Sequence, residues 1–333
     1  MKRKTRFNFN RLPYLALALT TATAMGGTEE MTTAAAPAPA SSCLDWIKVS
    51  GYAAIAYTFN DQGDDTFADG GTPFDAVKVG FEGTQGPIGG YVSLFYTPGV
   101  EGDEAGILDA FLTYKTGPLT FTAGKYLSYL GYEAFDTVNM TQLTYANSTL
   151  GAIPAYHSGL KVDYSSDILG AGFSVSDSIR GGDGFWTGDE NFDDDLGFEG
   201  YVSYKGIDKL TLWAGFGYEN TDGGEDWVTY DLWASYKLTD KLTVAGEAAY
   251  HDDGANCGTQ GLAFLQYVFT SHFSTVARFG FDENKYAPDN YRYTIAPTYA
   301  FCDNFLIRGE LTYNDTREDE DFVFAGVQAL YKF

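Results

Sequence analysis

The sequence predicts an all-β fold, a transmembrane antiparallel up-and-down β-barrel of about 16 strands. Three observations predict it. From Trp46 onward, segments of about ten residues alternate apolar and polar positions and are separated by turn residues. The connections alternate between short ones and longer, acidic ones. The last segment places Val323, Ala325, Val327, Ala329, Tyr331 and Phe333 on one face, against Gly326, Gln328 and Lys332 on the other. That is one face for lipid and one for a wetter interior.

The elements follow in order. Residues 1–24 read as a signal peptide: Lys2, Arg3, Lys4, Arg6 and Arg11 precede a short apolar core at Leu12–Leu19, and Ala22-Thr23-Ala24 fits a cleavage site. The core is too short to span a bilayer as a helix. Residues 25–45 are rich in Ala, Thr, Pro and Ser and read as a flexible periplasmic lead-in. The barrel is then 46–333. Strand 46–59 sets Ile47, Val49 and Ile55 against Lys48, and 74–83 sets Val77, Val79 and Phe81 against Lys78. Strands 90–97, 106–116 and 119–126 follow, the last two joined by Gly117-Pro118. Strands 155–165, 170–180, 195–204, 209–219 and 227–237 come next, with Trp213, Trp227 and Trp233 on the inward parity of the last two. After 241–251 and 259–269, strand 272–282 places Arg278 inward, 291–301 alternates Tyr291, Tyr293 and Ile295 with Arg292, and 304–314 alternates Phe305, Ile307 and Leu311 with Arg308 and Glu310. The closing strand is 321–333. An even count puts both termini on the periplasmic side.

Composition sets limits. Removing the five cations of residues 1–24 takes the formal charge from −24 to −29. So acidic a chain excludes nucleic acid as a partner, where Lys and Arg must neutralise phosphates. Tyr and Phe number 25 each, which suits aromatic girdles and excludes a disordered chain. Cys43, Cys257 and Cys302 form neither a disulfide framework nor a zinc site, and no cofactor is called for. A Cys43–Cys302 bridge on the periplasmic side is a minor expectation. Asp61-Gln62-Gly63-Asp64-Asp65 lacks the twelfth-position Glu of a calcium loop.

A barrel of 16–18 strands leaves an aqueous channel. The longest connection, 127–154, holds Glu133 and Asp136 and no Lys or Arg. Carboxylates in a narrow passage favour cations, so these two residues become the expected constriction through the resemblance to general porins given below. Lys48, Lys78, Arg278, Arg292 and Arg308 face inward on strands near the barrel closure. They read either as a basic wall opposing that loop or as solvated residues paired with Glu310 and Glu82. The three tryptophans offer an aromatic lining, which keeps open a solute-specific channel, for instance for a sugar. A non-conducting structural or adhesion barrel is the other alternative. An enzyme is not expected, because His157, His251 and His272 lie far apart, and His157 reads as an anchor at the foot of the loop. The acidic external connections, densest at 193–195 and 318–321, read as a solvated rim.

A terminal Phe on an alternating strand resembles the C-terminal signal of bacterial outer-membrane barrels. It implies the barrel-assembly machinery as a partner, with Phe333 and Tyr331 as the signal. In general porins the third external loop folds into the lumen, and the position and length of 127–154 resemble that arrangement. Gly124-Lys125, Gly131, Glu133, Asn139, Tyr145-Ala146-Asn147-Ser148, Ile153-Pro154 and His157-Ser158-Gly159 resemble the OmpL-like putative β-barrel porin family. The chain departs from the pattern at Ser128-Tyr129-Leu130, where a Pro is expected, and at Ala146-Asn147-Ser148, where a basic residue is missing. The resemblance implies a bacterial outer-membrane porin, passive diffusion of small hydrophilic solutes and ions, and contact with outer-membrane lipid and lipopolysaccharide. The analogy with porins of this size implies a homotrimer.

Overall fold

The computed structural model describes residues 46–333 except 64, 72, 99–103, 147–151, 180–195, 221–224 and 318–319. The signal peptide, the lead-in, Cys43, Asn147, Ser148 and the acidic run 193–195 lie outside the described residues. The described chain forms β1 (Ile47–Asn60), β2 (Thr66–Phe67), β3 (Ala76–Gln85), β4 (Ile88–Thr97), β5 (Glu104–Thr116), β6 (Leu119–Leu127), β7 (Tyr156–Ser165), β8 (Leu169–Ser176) and β9 (Gly197–Ile207). It continues through β10 (Leu210–Glu219), β11 (Trp227–Lys237), β12 (Leu242–Asp252), β13 (Cys257–Val268), β14 (Phe273–Asn284), β15 (Asn290–Cys302), β16 (Phe305–Thr316) and β17 (Phe322–Lys332). Sixteen of these are the expected strands. The exception is β2, two residues inside the first long connection that pair Phe67 with Tyr57.

Each long strand pairs antiparallel with its neighbours in the chain, and β1 closes the sheet by pairing with both β3 and β17. The seam runs from Tyr52 opposite Lys332 to Asn60 opposite Phe324. Phe333 exchanges two 3.0 Å backbone hydrogen bonds with Gly51, and its ring fills the space a side chain at Gly51 would need. Closure removes every strand edge, which the bilayer demands because unpaired backbone groups find no water there.

Alternation decides which side chains face lipid. Ile55, Leu94, Leu160, Val202, Leu232 and Ile295 are each at least half exposed on the outer face. The external rim repeats one device. The hydroxyls of Tyr57, Tyr218 and Tyr313 donate to Asp65, Asp226 and Asp321 at 2.6, 2.8 and 2.7 Å, each eight residues away across a hairpin. Each ring lies against lipid while its hydroxyl stays in the polar rim. At the other end, Gly86 (φ 61°) and Gly117 (φ 56°) each precede a Pro, the order a two-residue II′ hairpin needs.

Two places in the sheet depart from expectation. β8 ends at Ser176 rather than 180, because Asp177 caps the amides of Ser178 and Ser158 and the Ile179 amide turns to Glu219 (2.6 Å). The far end of the β6–β7 hairpin is buried on both faces: Tyr126 and His157 on one, Tyr156 on the other. Gly124 (φ 130°) opposes Gly159 there, and a side chain at either would strike a neighbouring strand's carbonyl, Ala110 or Val175.

Candidate functional site

Inward residues of the wall converge on the connection that follows β6. Period-two alternation puts Glu199 of β9, Asp231 of β11, Glu247 of β12 and Glu310 of β16 on the inner face, and each accepts hydrogen bonds from that segment. Ser128 Oγ and the Tyr129 amide donate to Glu199 (2.6 and 3.2 Å). The Gly131 amide donates to Asp231 (2.8 Å) and the Tyr132 amide to Glu247 (2.5 Å). The Leu143 and Thr144 amides donate to Glu310 (2.5 and 3.0 Å). A hydrogen bond of this kind is worth about 1 kcal/mol net when neutral and about 1.5–3 kcal/mol when one partner is charged.

Wall arginines hold the same segment by its carbonyls. Arg278 donates to Thr144 O (2.5 Å), Arg292 to Tyr145 O and Ala146 O (3.1 and 3.3 Å), and Arg308 to Thr137 O and Gln142 O (3.4 and 3.2 Å). A single 3-10 turn, Thr137–Asn139, interrupts the segment. Apolar packing accompanies the polar contacts. Phe135 and Val138 pack on the cluster of Tyr52, Phe95, Leu108 and Leu330, and Tyr132 and Ala146 on that of Leu262, Phe264, Val276 and Ala296.

The predicted constriction residues are therefore paired. Glu133 lies 2.7 Å from Arg278, and Asp136 lies 2.8 Å from Lys78, which also reaches Asp109 at 3.0 Å. The acidic loop and basic wall meet as ion pairs rather than facing each other across open water. Lys48 is different. It shares the inward face, opposes Glu82 in register and is exposed, away from this contact set.

Two of the three tryptophans join. Tyr201, Trp213 and Trp233 stack across β9, β10 and β11, with centroids 5.8 Å apart and planes within 9°. Leu130 covers Trp213, leaving it 8% exposed. Trp227 is outside this stack, edge-on to His251, but shares a buried cluster with Leu130, Ile179 and Trp213. A hollow of about 640 Å³ lies beside this row on the lipid-facing side, between Val202, Leu212 and Leu232 and over Ala214 and Ala234. Most of its lining faces lipid, and Trp213, Trp233, Glu247 and Leu262 complete it from the inner face.

His157 approaches Glu199 within 3.3 Å without hydrogen-bond geometry, at the foot of the segment. His251 lies 3.4 Å from Asp253, and His272 faces Ala300 O, so the three stay apart. Tyr331 and Phe333 both lie on the outer surface, about half exposed. Cys302 is exposed, and Cys257 approaches the Tyr250 hydroxyl at 3.6 Å. Sequence reasoning missed Glu199, Asp231 and Glu247 altogether. It assigned Glu310 to the cations, whereas Glu310 takes the segment's amides. The only signal was an acid at inward parity, which a water-filled wall would also carry.

A family model described as Putative beta-barrel porin-2, OmpL-like, matches residues 47–329. The fold is similar to an anion-selective porin from Comamonas acidovorans, with TM-score 0.65 at 12% identity, covering 86% of this chain and 99% of that one. It is similar to the outer-membrane channel DcaP of Acinetobacter baumannii, with TM-score 0.64 at 12% identity and coverage of 86% and 97%. It is also similar to a trimer form of OmpT from Vibrio cholerae, with TM-score 0.59 at 17% identity and coverage of 86% and 99%. No curated protein matches the chain by sequence.

Proposed function

The chain belongs to the OmpL-like β-barrel porin-2 family and is an outer-membrane porin, and we propose that it passes small hydrophilic solutes and ions passively, with a preference for cations. The observation that carries this reading is a barrel of channel width whose inward side chains from β3 to β16 engage residues 128–146, which makes that segment the candidate constriction. The cation preference no longer rests on Glu133 and Asp136 alone, since both are paired. It rests on the excess of acids over bases in the chain and at the external rim, which concentrates cations at the mouth. Export through a cleaved signal at 1–24, recognition of Phe333 and Tyr331 by the assembly machinery, and contact with lipopolysaccharide belong to the same reading. So does a homotrimer, as in the trimer form of the Vibrio cholerae protein. A native gel with only monomer would remove the trimer.

Planar-bilayer recording across a KCl gradient tests selectivity. The expected reversal is towards cations. Reversal towards anions would mean that Lys78, Arg278, Arg292 and Arg308 dominate the passage. A second reading, a sugar-specific channel, is favoured by the Tyr201–Trp213–Trp233 stack. Block of the current by added oligosaccharide would support it, and no block across a sugar panel would end it.

A further inference from the structure

Inward residues level with segment 128–146 are dry on all sides of the barrel. Ala54 on β1, Phe95 on β4, Glu199 on β9, Leu262 on β13, Ala296 on β15 and Gln328 on β17 are each at most 4% exposed. In an empty barrel of 16 strands such positions face water. Here the segment covers all but Gln328, whose amide donates to Pro73 O and Phe74 O of the first long connection. Leu143 and Ala146 are themselves fully buried, and a side chain at Gly326 of β17 would meet Leu143.

We propose that Glu199, Asp231, Glu247 and Glu310 are positioning residues that latch segment 128–146 across the bore, and that the latched barrel is a closed state which conducts only when the segment leaves them. The proposal rests on the channel reading above. The four carboxylates sit on opposite arcs of the wall and hold the segment at two places, 128–132 and 143–144. Between them lie the ion pairs of Glu133 with Arg278 and Asp136 with Lys78. All four acceptors take backbone or hydroxyl donors, so they fix the path of the chain and not merely one side chain. Their burial matters, because a donor that loses its acceptor in a dry site regains a partner only where water reaches it. Removing an acceptor therefore favours the state with the segment displaced, which is the open one.

The test is single-channel recording of the refolded full chain. The variants are the Asp231→Ala/Glu247→Ala double substitution, Glu310→Ala, and Glu310→Gln, which keeps a carbonyl acceptor. Heat-modifiable mobility on a gel verifies that each barrel is folded. The expected result is small, brief currents in the unaltered protein, a several-fold larger mean current in both alanine variants, and near-original behaviour with Glu310→Gln. A second readout is Ala296→Cys with the three native cysteines replaced by serine. The thiol is expected to resist a bulky water-soluble maleimide unless the latch is broken. A steady, large current and a labelled thiol in the latched protein would overturn the closed state, even if the alanine variants fail to fold. Currents unchanged by the alanine substitutions would overturn the latch. A thiol that becomes reactive on unlatching while every variant stays silent would instead overturn the channel reading itself.

Discussion

Exchanging Glu133 for Gln should cost about 3 kcal/mol of stability, near the low end of the range for removing one partner of a buried ion pair. The pair is short, at 2.7 Å, and the two side chains are 9% and 0% exposed. Unit charges at contact in a partly buried site attract by roughly 4 kcal/mol before desolvation is counted. Stranding Arg278 is softened by the bonds it keeps to Thr144 O, Thr144 Oγ and Thr294 Oγ. The Gln carbonyl can still accept from the Ala146 amide, which Glu133 holds at 2.6 Å. Arg278→Met should cost a similar amount, since it leaves the carboxylate with Ala146 and Gln142 alone. The double substitution removes both charges and should cost about 4 kcal/mol rather than the additive sum of about 6, a coupling of about 2 kcal/mol. The assay is reversible urea unfolding in lipid vesicles, followed by tryptophan fluorescence, on the four proteins of the cycle. Additive losses, with coupling under about 0.5 kcal/mol, would refute the reasoning. Water would then be screening the pair, and the segment would not be held in a dry site.

Two further outcomes are expected. Leu232→Arg places a charge on the lipid face midway along β11, where Leu232 is 57% exposed, and should cost about 2–4 kcal/mol in the same unfolding assay; no loss would mean that this face is not in hydrocarbon. The second concerns Asp253, in the external turn after β12. Burial alone would push its carboxyl up, but bonds from Asn256 and the nearby His251 outweigh burial and hold it below the usual carboxylate range. A lowered value means that the turn's extra stability is present at neutral pH and fades only as pH falls through that lowered value. Amide exchange at Ala255 and Asn256 should stay slow to more acidic pH than an ordinary aspartate turn allows, and protection lost near the ordinary aspartate range would contradict it.

Strand parity was legible because it needs only local information. Arg278, Arg308 and Lys78 were assigned inward from their neighbours on the same strand, and they are inward and buried. What faces them was not legible. Glu310 meets Leu143 and Thr144 across 167 and 166 residues, and Asp231 meets Gly131 across 100. Alternation carries no record of such distances. An acid beside water and an acid beside a backbone amide satisfy the same period. The buried end of the β6–β7 hairpin was hidden for a related reason: Tyr156 and His157 are adjacent and both buried, so alternation fails where the hairpin has protein on both sides. Gly124 and Gly159, opposite each other in register, were the one local trace of it.

The seam between β1 and β17 bears on how the chain reaches the membrane at all. The first strand finds its second partner only in the last one. Any shorter set of strands presents two rows of bare N–H and C=O groups to hydrocarbon, at several kcal/mol for each group. Half a barrel standing alone in hydrocarbon is therefore strongly disfavoured. A copy cut short within β17 would leave such rows bare as surely as one cut in the middle. The pairing of Tyr52 with Lys332 acts in this sense as a length check, passed only by a chain whose last strand is intact.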